Sequence, residues 1–219
     1  MIRAIIFDLD NSVIDFLSFK VETAKAAASA MVKQGLPISE VSAYGKIFSI
    51  YEKEGLDYQK TFHDVIAPFN LSPDDSERIQ QSAIAAYLRR KFEVLRPFTN
   101  VRSTLAKVPF SIKKIGISNS PRNKVWQRLV LTSLESDFDL VLSKDDSPDL
   151  KLRLGLSLGR YGFTGDCVLF VSADQKALLV ASQMNIQTYF AKYGSLNKSI
   201  SQKTTHSLDS IDQILNFIF

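Results

Sequence analysis

Ile2-Arg3-Ala4-Ile5-Ile6-Phe7-Asp8-Leu9-Asp10-Asn11-Ser12 is the stretch on which the reading of this chain turns. An apolar, isoleucine-rich run ends abruptly in acidic and polar residues. That pattern describes a buried strand delivering a polar tail into a loop at its C-terminal end. Asp8 and Asp10, two carboxylates at i and i+2, leave the strand on the same side, close enough to share a divalent cation. An Asp pair also terminates strands without doing chemistry, so the pair alone leaves both readings open.

The texture then changes. Residues 15–34 are alanine-rich with helical periodicity, stopped by Gly35-Leu36-Pro37. Ser39 to Glu54, Asp57 to Phe69 and Pro73 to Leu95 supply three further helices, the last opening with acids in its first turn, as a helix N-terminus prefers. From Asn100 onward helices and strands alternate. Strands are expected over 112–117, 138–142, 167–171 and 186–190, each flanked by helices, with a polar loop over 191–206 and a last helix over 207–218. Such alternation implies βαβ units. The expected architecture is α/β: a Rossmann-like, three-layer parallel-sheet core formed by residues 1–14 and 96–219, with an all-helical cap inserted over residues 15–95.

Composition removes several classes of function. The chain has 219 residues, 45% of them hydrophobic, which excludes a disordered or fibrous protein. One cysteine, Cys167, permits no intramolecular disulfide, and with only two histidines it makes a Cys/His zinc site implausible. The formal charge of +4 raises the question of an anionic partner. Residues 15–95 carry 10 basic and 11 acidic residues, so the excess lies in the remainder, dispersed without a basic block. A nucleic-acid footprint needs a clustered stripe, so specific nucleic-acid binding is not expected. The N-terminal apolar run is broken by Asp8 and Asp10, unlike a signal peptide, and no stretch is long enough for a transmembrane helix. A cytoplasmic location away from membranes is expected.

Ligands of parallel sheets bind beyond the carboxyl ends of the strands, which focuses attention on loops 8–12, 118–120, 143–149 and 172–177. Here the residues carry a resemblance. Ile5-Ile6-Phe7-Asp8-Leu9-Asp10-Asn11-Ser12 resembles the first motif of the haloacid dehalogenase-like (HAD) hydrolases, and Ile115-Gly116-Ile117-Ser118-Asn119 their second. The helical insert is similar to the α-helical cap of the branch that resembles phosphoglycolate phosphatases. The resemblance implies a Mg²⁺-dependent phosphatase of a small phosphorylated metabolite. Asp8 would be the nucleophile that forms an aspartyl-phosphate, and Asp10 the general acid and base. Ser118 and Asn119 would bind the phosphoryl group. Asp8 and Asp10 would hold Mg²⁺ together with carboxylates of a fourth motif.

Two departures from the family pattern stand against this. Ser147, in Ser147-Pro148-Asp149-Leu150, occupies the place of the third-motif lysine. Lys144 and Lys151 flank it on stems flexible enough to reach in, although surface lysines are the commoner case. Ser172 and Ala177 stand where the fourth motif has acids. Asp174, the one carboxylate left in that loop, is either a metal ligand or the N-cap of the next helix. Losing a charge-stabilising lysine commonly costs on the order of 10²–10³ in rate. The implied enzyme is therefore weakened. The alternative is a catalytically silent relative of the same fold, acting as a binding or regulatory subunit with a protein partner. His63, His206 and Cys167 lack a reaction partner in sequence, and Trp126 and the phenylalanines at helical spacing are expected in the core.

Overall fold

Ala4, Ile5, Ile6 and Phe7 are apolar on both faces of one strand, and all four are fully buried in a computed structural model that describes residues 1–196 and 206–218. Such a strand is stable only inside a sheet covered on both sides. It is β1 (Ala4–Asp8), one of the two innermost strands of six. The others are β2 (Lys113–Ile117), β3 (Leu140–Leu142), β4 (Val168–Ser172), β5 (Gln187–Ala191) and β6 (His206–Leu208). Their order is β3-β2-β1-β4-β5-β6, and every pairing is parallel. The α/β parallel-sheet fold expected from the alternating pattern is therefore the one found.

Strand periodicity divides the sheet's residues between two faces. Ala4, Ile6, Ile115, Ile117, Val168 and Phe170 pack in one core cluster with Leu154 of α7 (Leu150–Tyr161) and with Ala177, Leu178 and Ala181 of α8 (Gln175–Ser182). Ile5, Phe7, Leu169, Val171 and Tyr189, on the opposite face, are equally buried. Each fully buried aliphatic or aromatic side chain contributes about 1.5–3 kcal/mol. Asp8 belongs by register to the face covered by α7 and α8, since Ile6 pairs with Ile115 and Asp8 with Ile117.

The chain divides into two compact units, one of residues Met1–Phe16 and Arg96–Phe219, the other of Leu17–Leu95. Within the second, α1 (Phe16–Lys33), α2 (Glu40–Glu54), α3 (Thr61–Ile66) and α4 (Pro73–Val94) pack small residues closely. Ala24, Ala27, Ala28, Ala43 and Ala83 share its core with Met31, Ile47, Val65 and Ile79. Ser39 and Ser72 accept the N–H groups of Ser42 and Asp75, capping α2 and α4. In the first unit, the outgoing and returning strands of the connection pair. Ile14 bridges Pro97 antiparallel, and the Phe98 N–H donates to Val13 O at 2.9 Å.

Three expectations change. Residues 207–218 do not form one helix: His206–Leu208 adds the strand β6 beside β5, and only Ile211–Phe217 winds, as a 3₁₀ helix. Backbone pairing along an open sheet edge wins there over weak helical periodicity. Trp126, on α6 (Arg122–Leu131), is 40% exposed and outside the core, because Val125, Arg128 and Leu129 form the buried stripe of that helix. Of the polar loop expected over 191–206, residues 197–205 lie outside the described residues, while Lys192–Gly194 form a 3₁₀ turn.

That turn meets the loop after β1. A Cβ built on Gly194 would lie 1.6 Å from the Asn11 carbonyl oxygen, which no side chain tolerates. Gly194→Ala is expected to lower stability by about 1–3 kcal/mol, the usual cost of overpacking, read as a lower urea midpoint at unchanged slope.

Candidate functional site

The C-terminal ends of β1, β2 and β4 bring the sequence-predicted residues together. Leu9 N–H donates to Ile117 O at 2.8 Å, carrying the pairing of β1 with β2 one residue past the strand. The chain then turns at Asn11, whose φ of 63° is left-handed, and closes when the Asn11 and Ile14 N–H groups donate to Ile14 O and Leu9 O. The loop is held from two sides. Ala173 N–H donates to Ser12 Oγ at 3.0 Å, and Tyr193 Oη donates to Ser12 O at 2.6 Å.

Asp8 and Asp10 face different partners. Ser172, the residue that ends β4 beside Asp8, donates its hydroxyl to Asp8 Oδ2 at 2.7 Å. Loss of hydration pushes the Asp8 pKa up to about 8; the Ser172 hydrogen bond opposes this, while the charges of Asp10 and Asp174 add to it and that of Arg153 subtracts. Asp10 accepts at Oδ2 from Ser118 Oγ at 2.6 Å and from Ser120 Oγ at 3.5 Å. Its Oδ1 pairs with Arg128 Nη1. The Arg128 guanidinium lies 4.3 Å from the centre of the Phe16 ring, a stacked position that adds to the pair.

Asn119 turns its side-chain oxygen to a second arginine. Arg153, on α7, is fully buried; its Nη2 donates to Asn119 Oδ1 and its Nη1 to the Ser147 carbonyl. Burial pulls its pKa down, and the Asp8, Asp149 and Asp146 carboxylates pull it back up. Sequence reasoning passed over Arg128 and Arg153. The available signal was a charged side chain on a buried helical stripe, at Val125-Arg128-Leu129 in α6 and Arg153-Leu154-Ser157 in α7.

Other expected residues serve the loops. Asp174 accepts from Lys176 N–H at 2.9 Å and caps α8. Asp149 caps α7 in the same manner. Asp146 accepts from the Ser143 N–H and hydroxyl and pairs with Arg122, whose own N–H donates to Asp145. Lys144 and Lys151 are exposed, and neither pairs with Asp8 or Asp10. Cys167 is a free thiol that donates to Thr164 O, and His63 is an exposed partner of Asp64. Among the described residues no helix is long and apolar enough to cross a membrane.

Solved structures superpose on this arrangement over nearly its whole length. A HAD-superfamily hydrolase of subfamily IA from Geobacter sulfurreducens matches with a TM-score of 0.69 and 20% identity, covering 100% of this chain and 97% of that one. A magnesium-bound structure from Bacillus subtilis, described as a HAD hydrolase, gives 0.71 at 12% identity, covering 99% and 98%. The fold is that of the HAD superfamily. No family model matches the chain. Among curated proteins, the chain is 26% identical over 200 residues to a glyceraldehyde 3-phosphate phosphatase of Methanothermobacter thermautotrophicus, covering 84% of this chain and 88% of that protein. It is 23% identical to the protein of that name from Methanocaldococcus jannaschii, covering 100% and 97%.

Two outcomes follow from this geometry. Truncating Arg128 to Met strands the Asp10 carboxylate and is expected to cost on the order of 2–3 kcal/mol. Adding Asp10→Asn returns part of that loss, and the non-additivity in denaturant titrations measures the pair. For Asp8 the folded pKa is raised, so the folded state binds the proton more tightly. Its contribution is fully present below about pH 4 and is lost as pH rises from about 3.8 towards about 8. With chelator present, Asp8→Asn is expected to flatten that decline and to exceed the wild type in melting temperature at pH 8.

Proposed function

We propose that this chain is a phosphohydrolase acting on a small phosphorylated metabolite through Asp8. One observation carries the reading. Two carboxylates leave the central strand side by side, and hydroxyls from both neighbouring strands, Ser118 and Ser172, are bonded to them. The name shared by the curated relatives makes a triose phosphate the first substrate to try.

In this reading an Asp8 oxygen attacks phosphorus, the bond from phosphorus to the ester oxygen breaks, and the departing oxygen takes its electron pair. Asp10 delivers the proton to that oxygen, then takes one from the water that attacks the phosphoryl-aspartate and frees inorganic phosphate. Both Asp10 oxygens already have partners, of which Ser120, the longest of the three contacts, is the one a leaving group displaces most easily. Ser118 and Asn119 orient the phosphoryl oxygens.

Mg²⁺ is implied by the fold family, and the donors here suit a hard cation. Asp10 and Asp174 both press on Asp8 with negative charge, a surplus that a divalent cation complements. Among the described residues no group of three or more His, Cys, Asp or Glu could form a cage. Mg²⁺ does not require one, since it keeps several waters and takes one or two carboxylates. Asp8, the Asp10 carbonyl and Asp174 would hold it. Bound there, it would screen the carboxylate from the incoming phosphate ester.

Ser172 favours a second reading, a catalytically silent phosphate binder, because a hydroxyl ends β4 where an acid would strengthen the metal site. Phosphate release from glyceraldehyde 3-phosphate and from an aryl phosphate, with and without Mg²⁺, separates the two. Metal-dependent turnover is expected, reduced at least about 10³-fold in Asp8→Asn. Phosphate binding without any turnover would leave the silent reading standing instead.

A further inference from the structure

Ser118, Ser120 and Arg128, which come from the end of β2 and the helix that follows it, all donate to Asp10. Ser118 Oγ accepts the Ser120 N–H at 3.1 Å, which turns its own proton towards Asp10 Oδ2. Arg128 takes the other oxygen, Oδ1, and its guanidinium has little freedom to leave. Nε donates to the Lys124 carbonyl at 3.2 Å, and the group stacks 4.3 Å from the centre of the Phe16 ring. Both residues are buried, and Phe16 is the position at which the first unit passes into the helical insert. Asp10 keeps 17% of its side-chain surface exposed, so the carboxyl that Arg128 holds is open to a ligand. Stability alone explains such a pair poorly, because desolvating two charges costs about as much as their attraction returns.

We propose that Arg128 is a positioning residue for proton transfer: by holding Oδ1 it leaves Oδ2 as the one oxygen of Asp10 that gives and takes the proton. The proposal rests on the phosphatase reading above and adds the division of labour between the two oxygens. An unrestrained carboxyl turns freely about its last torsion and exchanges its oxygens. A stacked guanidinium prevents the exchange, because it is planar, directional and never gives up its own proton. Oδ2 then stays on the side of Ser118 and Ser120, and the ester oxygen reaches it by displacing Ser120. As that oxygen leaves phosphorus it binds the Oδ2 proton, and the electron pair of the broken O–H bond remains on the carboxylate beside Arg128. Oδ2 recovers a proton from the water that attacks the phosphoryl-aspartate.

The test compares two esters on the full chain in Mg²⁺ buffer. Glyceraldehyde 3-phosphate has an alkoxide leaving group that needs a proton, whereas 2,4-dinitrophenyl phosphate releases a stable phenolate that does not. The quantity read is kcat/KM, which stops at departure of the leaving group and so excludes the later attack of water. In Arg128→Met it is expected to fall about 10²-fold for the triose phosphate, the cost of a misplaced proton donor, and less than about threefold for the dinitrophenyl ester. Phe16→Leu keeps the arginine and removes the ring beneath it. That variant is expected to show the same selectivity at about 3- to 10-fold, and it decides the matter if Arg128→Met fails to fold. Equal losses on both esters, or no loss, overturn the role of Arg128 and leave the phosphatase reading intact. A gain with the triose phosphate also overturns it, since Arg128 would then act by charge alone, holding Asp10 without its proton. Absence of turnover of either ester by the wild type brings down the phosphatase reading and the proposal with it.

Discussion

Asp8 holds its carboxyl at the end of an innermost strand, where hydration is poor and where Asp10 and Asp174 add negative potential. Most of the surrounding polar structure answers that constraint. Ser172 donates from one neighbouring strand, Ser118 and Ser120 hold the adjacent Asp10 from the other, and two buried arginines bring positive charge up from α6 and α7. A parallel sheet makes such concentration possible, because its strands all end at the same edge. It also makes compensation necessary, since side chains at that edge are backed by a dry core in which unpaired charge is expensive.

The positive excess outside residues 15–95 takes on a different meaning once Arg128 and Arg153 are located. Read as a surface property, dispersed basic residues say little. Two of them, however, are buried on helices that pack against the sheet. The acids before α7 have been diverted into holding loops: Asp149 caps α7, and Asp145 and Asp146 fasten the segment before it to Arg122. The number of carboxylates in these loops overstates those left for chemistry.

The sheet was legible because buried parallel strands are simple: a short apolar run, then polar residues. The loop carrying Asp8 and Asp10 was legible for the same reason, and so was the helical texture of the insert. Legibility failed where one side chain departs from the character of its neighbours. In Leu150-Lys151-Leu152-Arg153-Leu154-Gly155-Leu156 the leucines recur every second residue, a strand-like rhythm, yet the segment is helical. Leu152 and Leu156 are therefore exposed while Arg153 is buried. The helix expected here is the one found, but leucines spaced by two lie on several sides of it and do not mark which stripe is buried. Trp126 misleads in the opposite sense, because its size suggested a core position and the helical stripe gave that position to Arg128. The C-terminal edge was illegible because whether residues 206–208 join a strand depends on the unpaired edge of β5, which is remote in sequence.

The contact between Gly194 and the Asn11 carbonyl has a consequence for the order in which the molecule is made. β1 is made before its partners β2 and β4, which lie more than 100 and 160 residues further along the chain. The loop after it is closed by Ala173, Tyr193 and Gly194. The helical insert has mostly local contacts and can be complete long before them. The residues of β1 and its loop, with the carboxylates on which the site depends, reach their final shape only after Gly194 has emerged. Until then they form an apolar strand without partners, the kind of segment that aggregates or engages chaperones during synthesis.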